Sequence, residues 1–137
     1  MFKWNLVKAK SIMTKKMITV SKQSSLYEAI ELLIKNKISG LPVVDSENCL
    51  LGVVTEKDIM ESLFTDNNQN KNVCDCMTHA VISFTPEDSV VNICSCFIRN
   101  PIRRVPIIDN NKLVGIVSRR DILSIMFASR GEEQQEE

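Results

Sequence analysis

The chain has 137 residues, 44% of them hydrophobic, and its 17 basic and 17 acidic side chains leave a formal net charge of zero. This length fits one ordinary domain with its own core, and the neutral balance argues against a general nucleic-acid binder, which usually carries a basic excess. No apolar run approaches the roughly 20 residues of a membrane span, and the N-terminus lacks a secretory apolar stretch, so we expect a cytoplasmic protein without membrane contact.

The sequence contains two copies of one pattern. A shift of 64 residues pairs Met13-Thr14 with Met77-Thr78, and after the loss of one residue a shift of 63 pairs Asp58 with Asp121. Polar positions match as well as apolar ones, so shared core periodicity alone does not explain the pairing.

The first copy predicts five elements in chain order. A short strand over residues 17–20 precedes an amphipathic helix over 25–36, whose apolar residues recur at helical spacing. Strands over 41–44 and 50–54 are apolar almost throughout, which indicates that both of their faces are covered. A second helix is predicted from about residue 56 to 64.

The second copy predicts the same order, with strands over 81–84, 105–108 and 113–117 and a last helix over about 119–128. A repeat of this size cannot cover both faces of its sheet. We therefore predict an α/β (α+β) fold of two β-α-β-β-α repeats, packed as a pseudo-two-fold pair through their sheets with helices outside.

The predicted boundaries follow composition. Residues 1–7 form an N-terminal extension, 8–65 the first repeat, 66–72 a polar linker, 73–129 the second repeat, and 130–137 an acidic tail that is expected to be disordered.

One motif, Thr or Ser followed by two polar residues and Asp, ends the third strand of each copy and opens a helix. Thr55 with Asp58, and Ser118 with Asp121, fit helix capping boxes, so structure alone explains the motif. The functional interpretation is that two carboxylate oxygens suit the 2′ and 3′ hydroxyls of a ribose, while an N-cap hydroxyl beside free N–H groups suits a phosphate. Both interpretations stay open.

The two series of motifs resemble the CBS domain family, from about residue 8 to 128. The resemblance rests on three features that recur at matching offsets: Met13-Thr14 and Met77-Thr78, residues 38–45 and 102–109, and residues 51–59 and 114–122.

The resemblance implies a stand-alone tandem pair, or Bateman module, that binds AMP, ADP, ATP or S-adenosylmethionine in clefts between the repeats. It also implies a flat homodimer. The chain would then be a regulatory module that senses its ligand and modulates a partner protein or its own dimer. It would not be an enzyme, since no carboxylate pair, nucleophile motif or glycine-rich phosphate loop is present.

By the same resemblance, Asp58 and Asp121 hold ribose hydroxyls, and Thr55 and Ser118 contact phosphate or ribose. Turns around two prolines would face the adenine. The remaining candidate binding residues are Thr19, Ser21, Ser39, Gly40, Pro42, Lys57, Ser83, Thr85, Arg103, Arg104, Pro106 and Arg120. No cofactor is required and no metal site is predicted.

Arginines make the second copy the more basic half: Arg99, Arg103, Arg104, Arg119 and Arg120. One hypothesis is that this half prefers the more phosphorylated ligand, because arginine forks pair well with phosphate oxygens. The alternative is a solvated run of surface charge.

Two other function classes compete with the nucleotide sensor. A scaffold protein would keep the fold and use the Thr/Ser-x-x-Asp motifs only as helix caps. A nucleic-acid binder would use the arginines, and its affinity would fall steeply with salt.

The five cysteines are expected to be reduced thiols in an intracellular protein. Cys74 with Cys76, and Cys94 with Cys96, lack the two-residue gap that is common among zinc ligands. A metal or redox role is therefore a minor alternative.

Overall fold

The computed structural model describes residues 3–65 and 71–136, with side chains up to residue 130. Most of the predicted linker, residues 66–70, lies outside the described residues. In chain order the elements are α1 (Ala9–Ile12), β1 (Val20–Ser21), α2 (Leu26–Asn36), β2 (Gly40–Val44), β3 (Leu50–Thr55), α3 (Glu56–Thr65), α4 (Val90–Arg99), β4 (Arg104–Asp109), β5 (Lys112–Ser118) and α5 (Arg119–Glu136). Short 3-10 helices occur at Trp4–Leu6 and Val73–Asp75.

These elements form two compact units that do not coincide with the sequence repeats. The first-repeat unit contains Ile18–Val81 with Asn111–Leu113, and the second-repeat unit contains Met1–Met17, Ile82–Asn110 and Val114–Glu137. The segment before β1, predicted as the start of the first repeat, therefore belongs to the second-repeat unit.

The first-repeat unit has a three-stranded sheet in the order β1-β2-β3. β1 runs parallel to β2, and β2 runs antiparallel to β3, with Gly40 opposite Thr55. Helix α2 begins at Ser25, whose hydroxyl accepts the Glu28 N–H at 3.1 Å as an N-cap. Its apolar stripe packs on the strands, so residues such as Leu33 join the buried core.

The second-repeat unit pairs β4 with β5 and packs α4 and α1 into its core. The α1 segment is tied to the loop before α4 by backbone bonds, including Ala9 N–H to the Asp88 carbonyl at 2.8 Å. Lys8 and Lys10 contact the Glu87 carboxylate at 2.6 and 2.8 Å. Hydrogen bonds from these two lysines lower the pKa of Glu87 to about 2.

Two predicted elements differ from the observed ones. Residues 81–84 form no strand, because only Phe84 bridges to Ile107, and Pro86 brings no N–H with which to extend the ladder. The expected disordered tail is helical as far as Glu136, as the continuation of α5. The Glu and Gln residues of this tail have high helix propensity, which offsets the single Gly131.

The repeated Met-Thr pairs extend each sheet. Thr78 exchanges both backbone hydrogen bonds with Val53, at 2.8 and 3.0 Å, and Thr14 does the same with Ile116, at 2.9 and 3.0 Å. The neighbouring glycine of each strand lies under this crossing segment. A Cβ on Gly52 would meet the Thr78 carbonyl oxygen at 2.5 Å, so the repeated glycine is a requirement of close backbone approach.

We expect Gly52→Ala to lower the free energy of unfolding by about 2 kcal/mol or more, since its methyl group meets backbone that cannot move cheaply. Gly115→Ala should cost less, about 1 kcal/mol, because its methyl group meets the flexible side chain of Met13 at 2.5 Å. Gly40→Ala is the control, because its nearest neighbour lies 3.4 Å away in ordinary contact. Urea unfolding measures the loss in the free energy of unfolding for each of the three variants. Equal losses at all three glycines would contradict this explanation.

Candidate functional site

The starts of α3 and α5 are built alike. The Thr55 hydroxyl accepts the Asp58 N–H at 3.2 Å, and Asp58 Oδ2 accepts the Thr55 N–H at 2.9 Å. The Ser118 hydroxyl accepts the Asp121 N–H at 3.1 Å, and Asp121 Oδ2 accepts the Ser118 N–H at 2.8 Å. Both Thr/Ser-x-x-Asp motifs are therefore capping boxes, which confirms their predicted structural role.

Capping occupies only one oxygen of each carboxylate. Asp58 and Asp121 are half-buried, and within the described part of the chain Oδ1 of neither residue accepts a hydrogen bond. An ionised carboxylate can accept several hydrogen bonds. The capping and ligand-binding interpretations are therefore compatible, because the same side chain has an oxygen for each.

The first residue of each helix also bonds the residue that comes directly before β2 or β4. The Glu56 N–H donates to the Ser39 carbonyl at 2.9 Å, and the Arg119 N–H donates to the Arg103 carbonyl at 3.0 Å. In the first-repeat unit, this contact and the pairing of Gly40 with Thr55 bring several predicted residues to one sheet end.

The sheet register separates another predicted residue from this end. Ser21 lies opposite Val44, four residues from Gly40 and therefore about 13 Å further along β2 at roughly 3.3 Å per residue. Its hydroxyl lies 3.1 Å from that of Ser24. Thr19 is half-buried and precedes β1, one residue before Val20, so it lies nearer the helix start than Ser21 does.

Pro42 and Pro106 lie inside β2 and β4 and are buried, which agrees with the strands predicted over 41–44 and 105–108, whereas the turns that the resemblance implied around the two prolines are not formed. A proline in a central strand normally leaves a partner carbonyl without a donor. Val53, opposite Pro42, directs both its N–H and its carbonyl to Thr78 on the other side of β3. Pro42 and Val53 therefore form a non-hydrogen-bonded pair, and the pairing of β2 with β3 needs no N–H from the proline.

The other predicted residues are exposed. Lys57 lies 3.8 Å from Glu61, and the Thr85 N–H donates to Asp88 Oδ2 at 2.7 Å. The remaining exposed candidates belong to the second-repeat unit: Ser83, Arg103, Arg104 and Arg120. Their side chains are free to meet a ligand in water.

Two residues that matter at the helix starts were not among the predicted site residues. Burial, and next the negative charge of Asp58, raise the pKa of Cys76 to about 11, so this thiol stays protonated at neutral pH. The other is Arg119, an exposed residue whose guanidinium donates to three backbone carbonyls.

Within residues 3–65 and 71–130, no group of three or more His, Cys, Asp or Glu side chains is arranged to hold a metal ion. Among the helices that the structure describes, none is both long and apolar enough to cross a membrane.

Sequence comparison finds CBS domains in both repeats. The family model for the CBS domain matches residues 9–65 and 73–128. An uncharacterized protein of Methanocaldococcus jannaschii is 30% identical over 85% of this chain, which spans 42% of that protein. The inosine-5′-monophosphate dehydrogenase of the same organism is 36% identical over 85% of this chain, which spans 23% of the enzyme. The chain thus covers less than half of both relatives.

Structure comparison agrees with this family. The CBS domain pair of protein MJ0100, in complex with 5′-methylthioadenosine and S-adenosyl-L-methionine, has a TM-score of 0.78 at 31% identity over 90% of this chain and 98% of that one. CBSX2 of Arabidopsis thaliana, in complex with AMP, has a TM-score of 0.79 at 26% identity over 88% and 96%. A Vibrio cholerae protein at 23% identity shares the fold over 96% of this chain with a TM-score of 0.84. The matches to both repeats, together with the shared α+β fold, show that the chain belongs to the CBS domain family as a tandem pair.

Proposed function

We propose that this CBS pair is a regulatory module that binds an adenosine compound, AMP, ADP, ATP or S-adenosylmethionine, at the starts of α3 and α5. The observation that carries the proposal is the second carboxylate oxygen of Asp58 and Asp121, which their capping boxes leave available. Related CBS pairs in complex with AMP, and with 5′-methylthioadenosine and S-adenosyl-L-methionine, support this ligand class.

The chemistry of the helix starts suits a nucleoside phosphate. Oδ1 of Asp58 or Asp121 would accept a ribose hydroxyl in a charge-assisted hydrogen bond, which is roughly twice as strong as a neutral one. The positive dipole ends at the N-termini of α3 and α5 favour a nearby phosphate. Thr55 and Ser118 lie at these positions in the two repeats.

The second-repeat site is proposed to prefer the more phosphorylated ligand. Arg103 and Arg104 are exposed beside the start of α5, where the first repeat has Ser39 and Gly40. Guanidinium groups bind phosphate oxygens through paired N–H donors. The neutral total charge favours this local role over general nucleic-acid binding.

Regulation would follow from linkage. A ligand shifts a conformational equilibrium only by its differential affinity for the two states. The molecule that responds to the ligand-bound state is proposed to be a partner protein or a second copy of the chain. The module itself would catalyse no reaction. The cytoplasmic location stays a prediction from the sequence.

A homodimer is proposed from apolar helix residues that are exposed at matching positions of both repeats. Phe64 and Phe127 are 93% and 65% exposed, and Ile34 and Ile98 are 73% and 81% exposed. Exposed apolar patches of this kind mark interaction surfaces. Their occurrence in both repeats favours a self-complementary contact between two copies.

Asp58→Asn and Asp121→Asn are each expected to weaken AMP binding at their site about tenfold or more, equal to ~1.4 kcal/mol. The asparagine oxygen can still accept the capping N–H, so unfolding without ligand should change by less than about 1 kcal/mol. Calorimetric titration and urea unfolding measure the two effects.

The matched control is Asp75→Asn. Asp75 accepts the Asn72 N–H at 2.8 Å in a third capping box, and it is not a candidate ligand. AMP binding by this variant should equal that of the wild type. A wild-type protein whose melting temperature does not rise with any adenosine ligand would instead establish the scaffold alternative.

For the dimer, Phe64→Glu combined with Phe127→Glu is expected to raise the dissociation constant at least about 100-fold, because buried aromatic anchors carry much of an interface's energy. Sedimentation velocity over a concentration series measures it, with Lys35→Ala on exposed α2 surface as the control. Wild-type protein that stays monomeric, or a double variant that still dimerises, would contradict this contact.

A further inference from the structure

Helices α2 and α4 occupy corresponding positions but end in different ways. At the end of α2, Lys37 adopts a left-handed conformation with φ 54° and ψ 45°. Its N–H donates to the Ile34 carbonyl at 3.3 Å, and the Ile38 N–H donates to the Leu33 carbonyl at 3.1 Å. The backbone of the chain thus closes this helix by itself, in the manner of a Schellman motif.

Helix α4 cannot close in this way. Pro101 stands where the first repeat has Lys37, and proline has no N–H and a φ near −65°. Asn100, the residue before it, is extended with φ −127° and ψ 144°, as residues before proline prefer. The carbonyl of Phe97, the counterpart of Leu33, therefore needs another donor.

Arg119 supplies that donor. Its Nη2 donates to the carbonyls of Phe97 and Asn100, each at 3.0 Å, and its Nε donates to the carbonyl of Ile102 at 2.7 Å. The guanidinium carbon also lies 5.9 Å from the centre of the Phe97 ring. A cation at a helix C-terminus is favoured by the helix dipole as well. The first repeat has Glu56 at this position, where no such donor is needed.

The same residue connects this turn to the proposed binding site. Arg119 lies within the Ser118–Asp121 capping box, and its backbone N–H donates to the Arg103 carbonyl at 3.0 Å. The side chain and the backbone of one residue thus hold the turn that leads into Arg104. An arginine fork has five donors in fixed geometry, which lysine cannot reproduce.

We propose that Arg119 is a positioning residue for phosphate recognition in the second repeat: it replaces the helix closure that Pro101 prevents, and it thereby fixes where Arg103 and Arg104 meet a nucleotide phosphate. This inference rests on the proposed function. It makes the phosphate preference of the site depend on a residue that does not itself contact the ligand.

Arg119→Lys in an Asp58→Asn background tests the proposal, because it keeps the charge and removes the fork while binding at the first-repeat site is already weakened, and the Asp58→Asn protein is the reference for the change. We expect AMP affinity to fall about tenfold while adenosine affinity changes less than about twofold, so that the AMP-to-adenosine ratio falls. Arg99→Lys, an exposed charge-conserving control on α4, should leave the ratio unchanged. Circular dichroism checks that each variant is folded.

Pro101→Lys added to Arg119→Lys should restore the ratio, because it returns the N–H and the left-handed conformation that Lys37 supplies in the first repeat. Equal loss for AMP and adenosine, or no restoration by Pro101→Lys, would overturn the positioning role while nucleotide binding by the wild type stands. Failure of the wild type to bind either compound would overturn the proposed function, and this inference with it.

Discussion

The reciprocal hydrogen bonds at the starts of α3 and α5 are the interaction on which the candidate sites depend. In each, a hydroxyl and a carboxylate exchange bonds with the backbone of a strand-to-helix junction. The exchange holds Asp58 and Asp121 in place without ligand and engages one carboxylate oxygen. Because the acceptor is positioned before binding, little side-chain entropy remains to be lost when a ribose binds.

The two repeats keep this junction and vary what surrounds it. The first repeat has Ser39, Gly40 and a self-closing α2, whereas the second has arginines and a proline that leaves α4 open. Arg119 compensates for that proline and adds a charged anchor beside the junction. Under the proposed function, the duplication would give one chain two sites of common geometry that differ in the charge facing a phosphate.

Much of the fold can be predicted from local pattern. Helical periodicity and the repeated motifs predict the element order and the family, because each signal lies within a few residues. The in-strand positions of Pro42 and Pro106 follow from the apolar runs over 41–44 and 105–108, whereas the pairing of Thr14 and Thr78 with the sheet edges could not be predicted, because it joins segments that are distant in the chain. The apolar pattern over 81–84 predicts a strand that is absent, and the local cause is Pro86, which has no N–H to continue the pairing after Phe84.

The candidate site shows the same division. Thr55, Asp58, Ser118 and Asp121 are recognisable because the motif itself defines their spacing. Arg119 is not, because its role depends on carbonyls up to 22 residues away, and only the pairing of Pro101 with Lys37 in the repeat alignment hints at it.

The central claim is that the free oxygen of each capping carboxylate binds a ribose hydroxyl, and ligand chemistry tests it most directly. Calorimetric titration of the unaltered protein with AMP, 2′-deoxy-AMP and 3′-deoxy-AMP compares ligands that differ only in those hydroxyls. We predict that loss of a hydroxyl which meets the carboxylate weakens binding by about tenfold or more, because a charged acceptor is then left unpaired. Equal affinity for all three nucleotides would contradict the account.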